Sequence, residues 1–152
     1  MNFLVIGAGA MGCLFAARLK RSGFEVSIYE KIPKRVQRIQ EEGIRVEGAN
    51  AIDKTPVPVL SRKPFPVPDT VIFCVKSYDT EAASKKIAPW LKRDTMILTL
   101  QNGLGNIEIL EEVFGKKRVL GGVTSEGATV IDHGRIRHAG AGETSIGPTG
   151  GG

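Results

Sequence analysis

Residues 4–12 read LVIGAGAMG, three apolar residues that run directly into glycines at positions 7, 9 and 12. Leu4, Val5 and Ile6 are typical of a buried parallel strand, and the apolar spacing after Gly12 predicts a helix that ends at Gly23. A second predicted strand, EVSIY at residues 25–29, follows that helix. A strand, a glycine turn, a helix and another strand in this order form a dinucleotide-binding signature.

Each glycine of this signature has a separate predicted task. Gly7 allows a tight turn, Gly9 lets the backbone approach a pyrophosphate, and Gly12 lets the helix pack closely on the strand. The N-terminus of the helix then offers its unpaired N–H groups and its dipole to the phosphates. The glycine spacing alone is a weak signal, but the flanking strands and helix strengthen it considerably.

Two opposing signals for the choice of cofactor follow the second predicted strand. Glu30 lies where an acidic side chain commonly accepts hydrogen bonds from the adenosine ribose, which favours NAD. Three cations crowd the same turn and suit the 2′-phosphate of NADP instead: Lys31, Lys34 and Arg35. A third interpretation is that these charges only solvate the first turn of a helix that begins at Pro33.

The composition fits one α/β domain and argues against several classes of function. The 152 residues, 41% of them hydrophobic, suffice for one core but not for two full domains. No long apolar run or signal peptide is evident, so we expect a cytoplasmic protein without a membrane span. The net charge of +5 is scattered along the chain, and we expect no nucleic-acid partner. Cys13 and Cys74 lack metal-ligand spacing, so we predict free thiols and no metal site.

The rest of the chain continues as alternating helices and strands, which predicts a Rossmann-like doubly wound sheet that is mostly parallel. We predict a helix that Gly43 closes, then a strand at residues 44–48, and a proline-bounded edge strand at residues 57–60. TVIFCV at residues 70–75 is a buried strand, and a helix follows it at about residues 79–91. Further strands are TMILTL and RVLGGVTS, with the helix IEILEEVFG between them.

The C-terminal third of the chain has a different sequence pattern, in which short segments alternate between apolar and polar residues. Asp132, His133 and Gly134 join two alternating segments in the manner of a hairpin turn. We therefore predict that antiparallel strands complete the sheet at the C-terminal end. The final residues, 149–152, are rich in glycine and read as a linker.

Two polar side chains directly follow buried strands of the predicted sheet. Lys76 comes after TVIFCV, and Asn102 lies in the Gln101-Asn102-Gly103 segment after TMILTL. Ligands of doubly wound folds bind outside the carboxyl ends of the strands, where Lys76 could reach a cofactor ribose or polarise a substrate carbonyl. The alternative is that the Lys76 side chain is merely exposed to solvent and that Asn102 only marks a turn.

Hydride transfer to a carbonyl also requires a proton donor. His133 and His138 have suitable side chains, but both fall in the predicted hairpin rather than after a parallel strand. The chain contains neither a nucleophile elbow nor a paired-carboxylate motif. We therefore expect the general acid to be absent from these residues.

Taken together, the motifs resemble those of the ketopantoate reductase (2-dehydropantoate 2-reductase) family. The resemblance rests on GAGAMG at residues 7–12, VKSYDT at 75–80, QNGLGNIE at 101–108, and GGVTSEGATV at 121–130 before ETSIGP. It spans essentially the whole chain, and the VK and QNG segments are more specific than the glycine loop.

The resemblance implies the reduction of 2-dehydropantoate to (R)-pantoate with NADPH, in the pathway to pantothenate and coenzyme A. Lys31 matches the basic residue that the family uses for the 2′-phosphate, whereas Glu30 departs from the commonest pattern and leaves NAD open. Lys76 and Asn102 would lie at the nicotinamide and substrate cleft in supporting catalytic roles. The cofactor-binding residues implied are Gly7, Ala8, Gly9, Ala10, Met11, Gly12, Lys31, Lys76, Asn102 and Ala128.

The family also has a helical C-terminal domain, which carries the proton-donating lysine and most substrate-binding groups. Residues 1–148 would then be the cofactor-binding domain, inactive alone, with an apolar surface that can make it self-associate as a homodimer. Two alternatives stay open. One is another NAD(P)-dependent 2-oxoacid or 2-hydroxyacid dehydrogenase, and the other is a non-catalytic module that senses dinucleotides.

Overall fold

The computed structural model of the chain describes residues 1–64, 66–101 and 105–149. The strands are β1 (Asn2–Ile6), β2 (Glu25–Tyr29), β3 (Ile44–Glu47), β4 (Ile52–Thr55), β5 (Val59–Leu60), β6 (Thr70–Phe73), β7 (Met96–Thr99), β8 (Val119–Thr124), β9 (Gly127–Asp132), β10 (Arg135–Gly140) and β11 (Thr144–Pro148). The α-helices are α1 (Ala10–Arg21), α2 (Pro33–Glu42), α3 (Thr80–Ile87) and α4 (Asn106–Phe114). Each predicted helix is thus present, although its bounds differ slightly.

The main sheet has the strand order β11-β8-β7-β6-β1-β2-β5. Every neighbouring pair is parallel except β8 and β11, which are antiparallel. From β5 to β8 this is the strand order of dinucleotide-binding folds, and the direction of winding reverses at β1. The predicted Rossmann-like fold is therefore confirmed, and its switch point lies between β1 and β6.

Side chains of β1 alternate between cores on the two faces of the sheet. Leu4 and Ile6 pack into the core that contains Leu110 of α4, whereas Val5 packs into the core that contains Leu14 of α1. All three β1 side chains are fully buried. Since successive side chains of a strand point to opposite faces, a continuous apolar run is what a strand between two helical layers requires.

A second sheet, with the order β4-β3-β10-β9, covers the α1 side of the molecule. Ile44 of β3 and Ile136 of β10 are almost fully buried and belong to the same core as α1. The predicted hairpin is present, with Gly134 in a left-handed conformation (φ +71°) at its turn, but it belongs to this second sheet. The antiparallel strands that we predicted at the C-terminal end are thus divided between two sheets.

Several element bounds differ from the sequence prediction for local reasons. Helix α1 begins at Ala10, so Gly12 lies within the helix rather than before it. The edge strand β5 is limited to Val59–Leu60, because Pro58 precedes it and lacks a backbone donor. Helix α3 ends at Ile87 and continues as a 3₁₀ turn at Ala88–Trp90. Strand β4 was not predicted.

None of the helices described is long and apolar enough to cross a membrane.

Candidate functional site

The carboxyl ends of β1, β2 and β6 open into a cavity of about 620 Å³. Six of the predicted cofactor-binding residues line it: Gly7, Gly9, Ala10, Lys31, Lys76 and Ala128. Ala8, Met11 and Gly12 lie in the adjoining loop and helix and do not line the cavity, and their role in binding stays a prediction. Asn102 lies outside the described residues.

The glycine loop has the close packing that the sequence predicted. Gly7 adopts a φ of +101°, and a Cβ placed there would lie 3.0 Å from the Val75 side chain. A Cβ on Gly12 would collide with the carbonyl oxygen of Gly7. At Gly9, by contrast, no described atom lies within 4 Å of a Cβ position. The loop is therefore packed tightly at Gly7 and Gly12 and open at Gly9, the position that faces the cavity.

The N-terminus of α1 also faces this open side. Gly9 is the N-cap residue, and no side chain in the described part of the chain caps the helix. The first turn contains no acidic residue, and the first backbone hydrogen bond joins the Cys13 N–H to the Gly9 carbonyl. The preceding N–H groups of a helix lack intrahelical partners, so this end attracts anions.

Glu30 is almost completely buried at the end of β2, and its carboxylate accepts hydrogen bonds from other groups of the protein. Its Oε1 accepts hydrogen bonds from the Ala8 N–H (2.8 Å) and from Arg35 Nη1 (3.2 Å). Its Oε2 accepts from the N–H groups of Lys31 (2.9 Å) and Ile32 (3.1 Å). A carboxylate has about four acceptor sites, so these four donors occupy Glu30 fully. Glu30 thus joins the glycine loop to the turn before α2.

The cations that we predicted after β2 have different partners. Lys31 is exposed, and its Nζ lies 2.8 Å from Oδ1 of Asp79, a hydrogen bond that raises the pKa of Lys31. Arg35 pairs with Glu30, whereas Lys34 does not line the cavity. Lys86 of α3 also lines the cavity and lies near the end of β2, and it was not predicted because no local sequence motif marks this approach.

Across the described residues, the charged groups that line the cavity are four cations and two carboxylates. The cations are Lys31, Arg35, Lys76 and Lys86, and the carboxylates are Glu30 and Asp79. Because the positive charges outnumber the negative ones, the cavity suits an anionic ligand such as a dinucleotide.

Lys76 also lines the cavity, in the segment that follows the end of β6. It is exposed and is the N-cap of a 3₁₀ turn at Ser77–Asp79, where its carbonyl accepts a hydrogen bond from the Asp79 N–H (2.8 Å). Under this segment, Gln101 Nε2 donates to the Val75 carbonyl at 2.8 Å. Lys76 therefore lies beyond the carboxyl end of β6 at the cavity, and its role in binding or catalysis stays a prediction.

The two histidines are not in the cavity lining. His138 Nε2 lies 2.8 Å from Oε2 of Glu126, whose other oxygen pairs with Arg18 of α1. Arg18 foremost, and then His138, lower the pKa of Glu126 to about 2. His138 therefore links β10 to α1, and His133 lies in the hairpin turn.

The two cysteines are free thiols, as predicted. Burial raises the pKa of both Cys13 and Cys74 to about 12, so neither is a thiolate near neutral pH. Among the described residues, no three His, Cys, Asp or Glu side chains are grouped so that they could hold a metal ion.

Comparison with known proteins agrees with this geometry. The model of the family ketopantoate reductase PanE/ApbA matches residues 3–151. The 2-dehydropantoate 2-reductase of Halobacterium salinarum is 36% identical over 97% of this chain and 49% of its own length. The enzyme of the same name from Aquifex aeolicus is 40% identical over 90% of this chain and 43% of its own length.

Solved structures give the same result. The 2-dehydropantoate 2-reductase of Geobacter metallireducens superposes with a TM-score of 0.87 at 32% identity, covering 97% of this chain and 49% of that chain. D-mandelate dehydrogenase, in a ternary structure with NADH and anilino(oxo)acetate, superposes with a TM-score of 0.92 at 27% identity and covers 100% of this chain and 50% of that chain. This chain spans about half the length of the curated relatives it matches. It belongs to the ketopantoate reductase PanE/ApbA family.

Proposed function

We propose that this chain is the cofactor-binding half of an NADPH-dependent reductase that converts 2-dehydropantoate to (R)-pantoate, in the pathway to pantothenate and coenzyme A. The observation that carries the proposal is the cavity at the switch point of the sheet, which is lined by the open glycine Gly9 and by Lys76. Residues 1–148 form the proposed cofactor domain. A cytoplasmic location and a homodimer remain predictions.

The residues at this site fit a nicotinamide dinucleotide. Gly9 leaves space beside the N-terminus of α1, where the pyrophosphate would accept hydrogen bonds from backbone N–H groups. Ala128 would form part of the opposite wall. A reduced nicotinamide bound here supplies the hydride for a carbonyl carbon.

The surroundings of β2 favour NADPH over NADH. Because Glu30 already accepts four hydrogen bonds from the protein, it has no acceptor site left for the ribose hydroxyls. Lys31, Arg35 and Lys86 surround the same end of the cavity with positive charge. A 2′-phosphate would attract Lys31 away from Asp79, because a phosphate carries more charge than a carboxylate.

The Lys76 ammonium would donate hydrogen bonds to a cofactor ribose or to the substrate carbonyl. Asn102 is proposed to act beside it. The proton donor and the groups that recognise the substrate carboxylate would come from a further domain, as the resemblance implies. The chain alone would then bind cofactor without turning over substrate.

The test is NADPH consumption with 2-dehydropantoate, measured for this chain alone and for a longer polypeptide in which it is joined to the helical C-terminal domain that the resemblance implies. We expect turnover by the longer polypeptide and none by this chain. Turnover by this chain would contradict the proposal that the proton donor comes from a further domain. A second candidate, an NADH-dependent reductase of another 2-oxoacid, is supported by the superposition with D-mandelate dehydrogenase, whose structure contains NADH. Reduction of an aromatic 2-oxoacid with NADH, but not of 2-dehydropantoate, would support it.

A further inference from the structure

Three polar side chains beneath the cavity connect the segment after β6 with the segment after β7. Gln101 Nε2 donates hydrogen bonds to the Val75 carbonyl and to Thr80 Oγ1, both at 2.8 Å. Thr80 Oγ1 in turn donates to Asn106 Oδ1 at 2.7 Å. Asn106 Nδ2 donates to Ser77 Oγ at 3.2 Å. We name Thr80, Gln101 and Asn106 the amide network.

Two of the three members of the amide network are buried, and the orientation of the third, Gln101, is defined by its hydrogen bonds. Thr80 is fully buried and Asn106 is 3% exposed. Gln101 Oε1 accepts a hydrogen bond from Thr99 Oγ1 at 2.9 Å, which directs the Gln101 amide nitrogen toward Val75 and Thr80. A buried network whose donors and acceptors are satisfied holds one arrangement, because any rotation leaves a polar group unpaired.

The amide network holds the chain on both sides of Lys76. Gln101 binds the carbonyl of Val75, the residue before Lys76, and Asn106 binds the side chain of Ser77, the residue after it. Lys76 itself stays exposed at the cavity. All three members of the network are uncharged, so they fix the backbone without competing for the Lys76 ammonium.

We propose that Thr80, Gln101 and Asn106 are positioning residues that fix the Lys76 segment against the nicotinamide half of the bound dinucleotide. The proposal rests on the proposed function in requiring a nicotinamide dinucleotide in the cavity with its nicotinamide half beside Lys76. It does not depend on which 2-oxoacid is reduced. Thr80 and Asn106 act through Lys76 and its neighbours, since neither lines the cavity.

The test compares two ligands that share the adenosine half. NADPH carries the nicotinamide, and 2′-phospho-ADP-ribose lacks it. In Thr80→Val, which removes the hydroxyl but keeps the shape, we expect calorimetry to show NADPH binding weakened about tenfold, the scale of one lost hydrogen bond in a buried network. The affinity for 2′-phospho-ADP-ribose is expected to stay unchanged. Thr80→Ser keeps the hydroxyl and should restore NADPH binding.

Ser84→Ala is the matched control, because it removes another buried hydroxyl of α3, which donates to the Glu81 carbonyl of the same helix and not to a described member of the amide network. It should leave both affinities unchanged. Gln101→Met provides a second variant at a less buried position and should reproduce the selective loss if Thr80→Val does not fold. Equal weakening of both ligands, or no change for NADPH in a folded variant, would overturn the positioning role. Failure of the unmodified chain to bind either ligand would instead refute the proposed function.

Discussion

At the residue scale, the glycines of the first loop differ in what surrounds them. Gly12 packs its α-carbon against the carbonyl of Gly7, whereas Gly9 has an ordinary extended conformation (φ −80°, ψ −160°) and open space beside it. The Gly7 carbonyl is a backbone group and cannot move away as a flexible side chain can. A methyl group is therefore tolerated at Gly9 but not at Gly12. Replacing glycine with alanine therefore tests the packing of the fold at Gly12 and the binding of the ligand at Gly9.

We predict that Gly12→Ala destabilises the protein by about 1–3 kcal/mol or more, because the added methyl group overpacks the contact between α1 and the loop. Gly9→Ala should leave stability within about 0.5 kcal/mol, since no atom of the described residues lies within 4 Å of the added methyl group. It should nevertheless weaken dinucleotide binding, because it fills space predicted for the pyrophosphate. Urea denaturation and calorimetric titration measure the two effects. Equal stability loss in both variants would contradict this assignment.

Glu30 is the second residue whose environment defines its role. The variant Glu30→Gln keeps the shape but replaces one acceptor oxygen with an NH₂ group that faces protein donors. We expect a loss of about 1–3 kcal/mol in the free energy of unfolding, the cost of leaving buried donors unpaired. Glu25→Gln, at an exposed position of the same strand, is the control. A Glu30→Gln variant that is fully stable but loses NADH affinity would show that Glu30 binds ribose instead.

At the element scale, the Arg18–Glu126–His138 cluster joins α1 to the second sheet. Its members come from α1, from the connection between β8 and β9, and from β10. Because Ala128 and Val130 of β9 line the cavity, this cluster also fixes one wall of the site. The contact is electrostatic, so its strength depends on pH.

The pH dependence follows from the lowered pKa of Glu126. In the unfolded chain this carboxyl titrates near 4.5, and in the fold near 2. Its contribution to stability is therefore complete above about pH 4.5 and disappears as the pH falls toward 2. We predict that Glu126→Gln lowers the melting temperature at neutral pH and that its difference from the unmodified chain shrinks in this acidic range. Glu112→Gln, an exposed change on α4, should show no such convergence, and a pH-independent deficit for Glu126→Gln would refute the ion-pair role.

At the scale of the whole molecule, the fold was predictable because its signals are local. The run Leu4–Ile6, the glycines and the amphipathic helices each specify an element, and the order of elements specifies a parallel sheet. The second sheet was not predictable in this way. Its central pair joins β3 and β10, with Ile136 beside Val46, and alternation within a strand indicates which face is buried but not which partner it pairs with.

The residues of the candidate site were likewise predictable only where their signals are local. Lys76 and the glycine loop were predictable because they directly follow buried strands. The role of Glu30 depends on backbone donors from three separate residues, and Lys86 reaches the cavity only through the packing of α3. Sequence motifs therefore located the cavity, whereas the partners of each charge emerged only from the assembled fold.

The most direct measurement is a parallel calorimetric titration of the purified chain with NADPH and NADH, repeated for Lys31→Ala and for Lys34→Ala. We expect NADPH to bind about tenfold more tightly, the scale of one charge-assisted hydrogen bond at a partly exposed site. Lys31→Ala should abolish this preference, and Lys34→Ala, in the same turn but outside the cavity lining, should retain it. Tighter binding of NADH, unaffected by Lys31→Ala, would contradict the assignment of NADPH, and binding of neither dinucleotide would contradict the cofactor site itself.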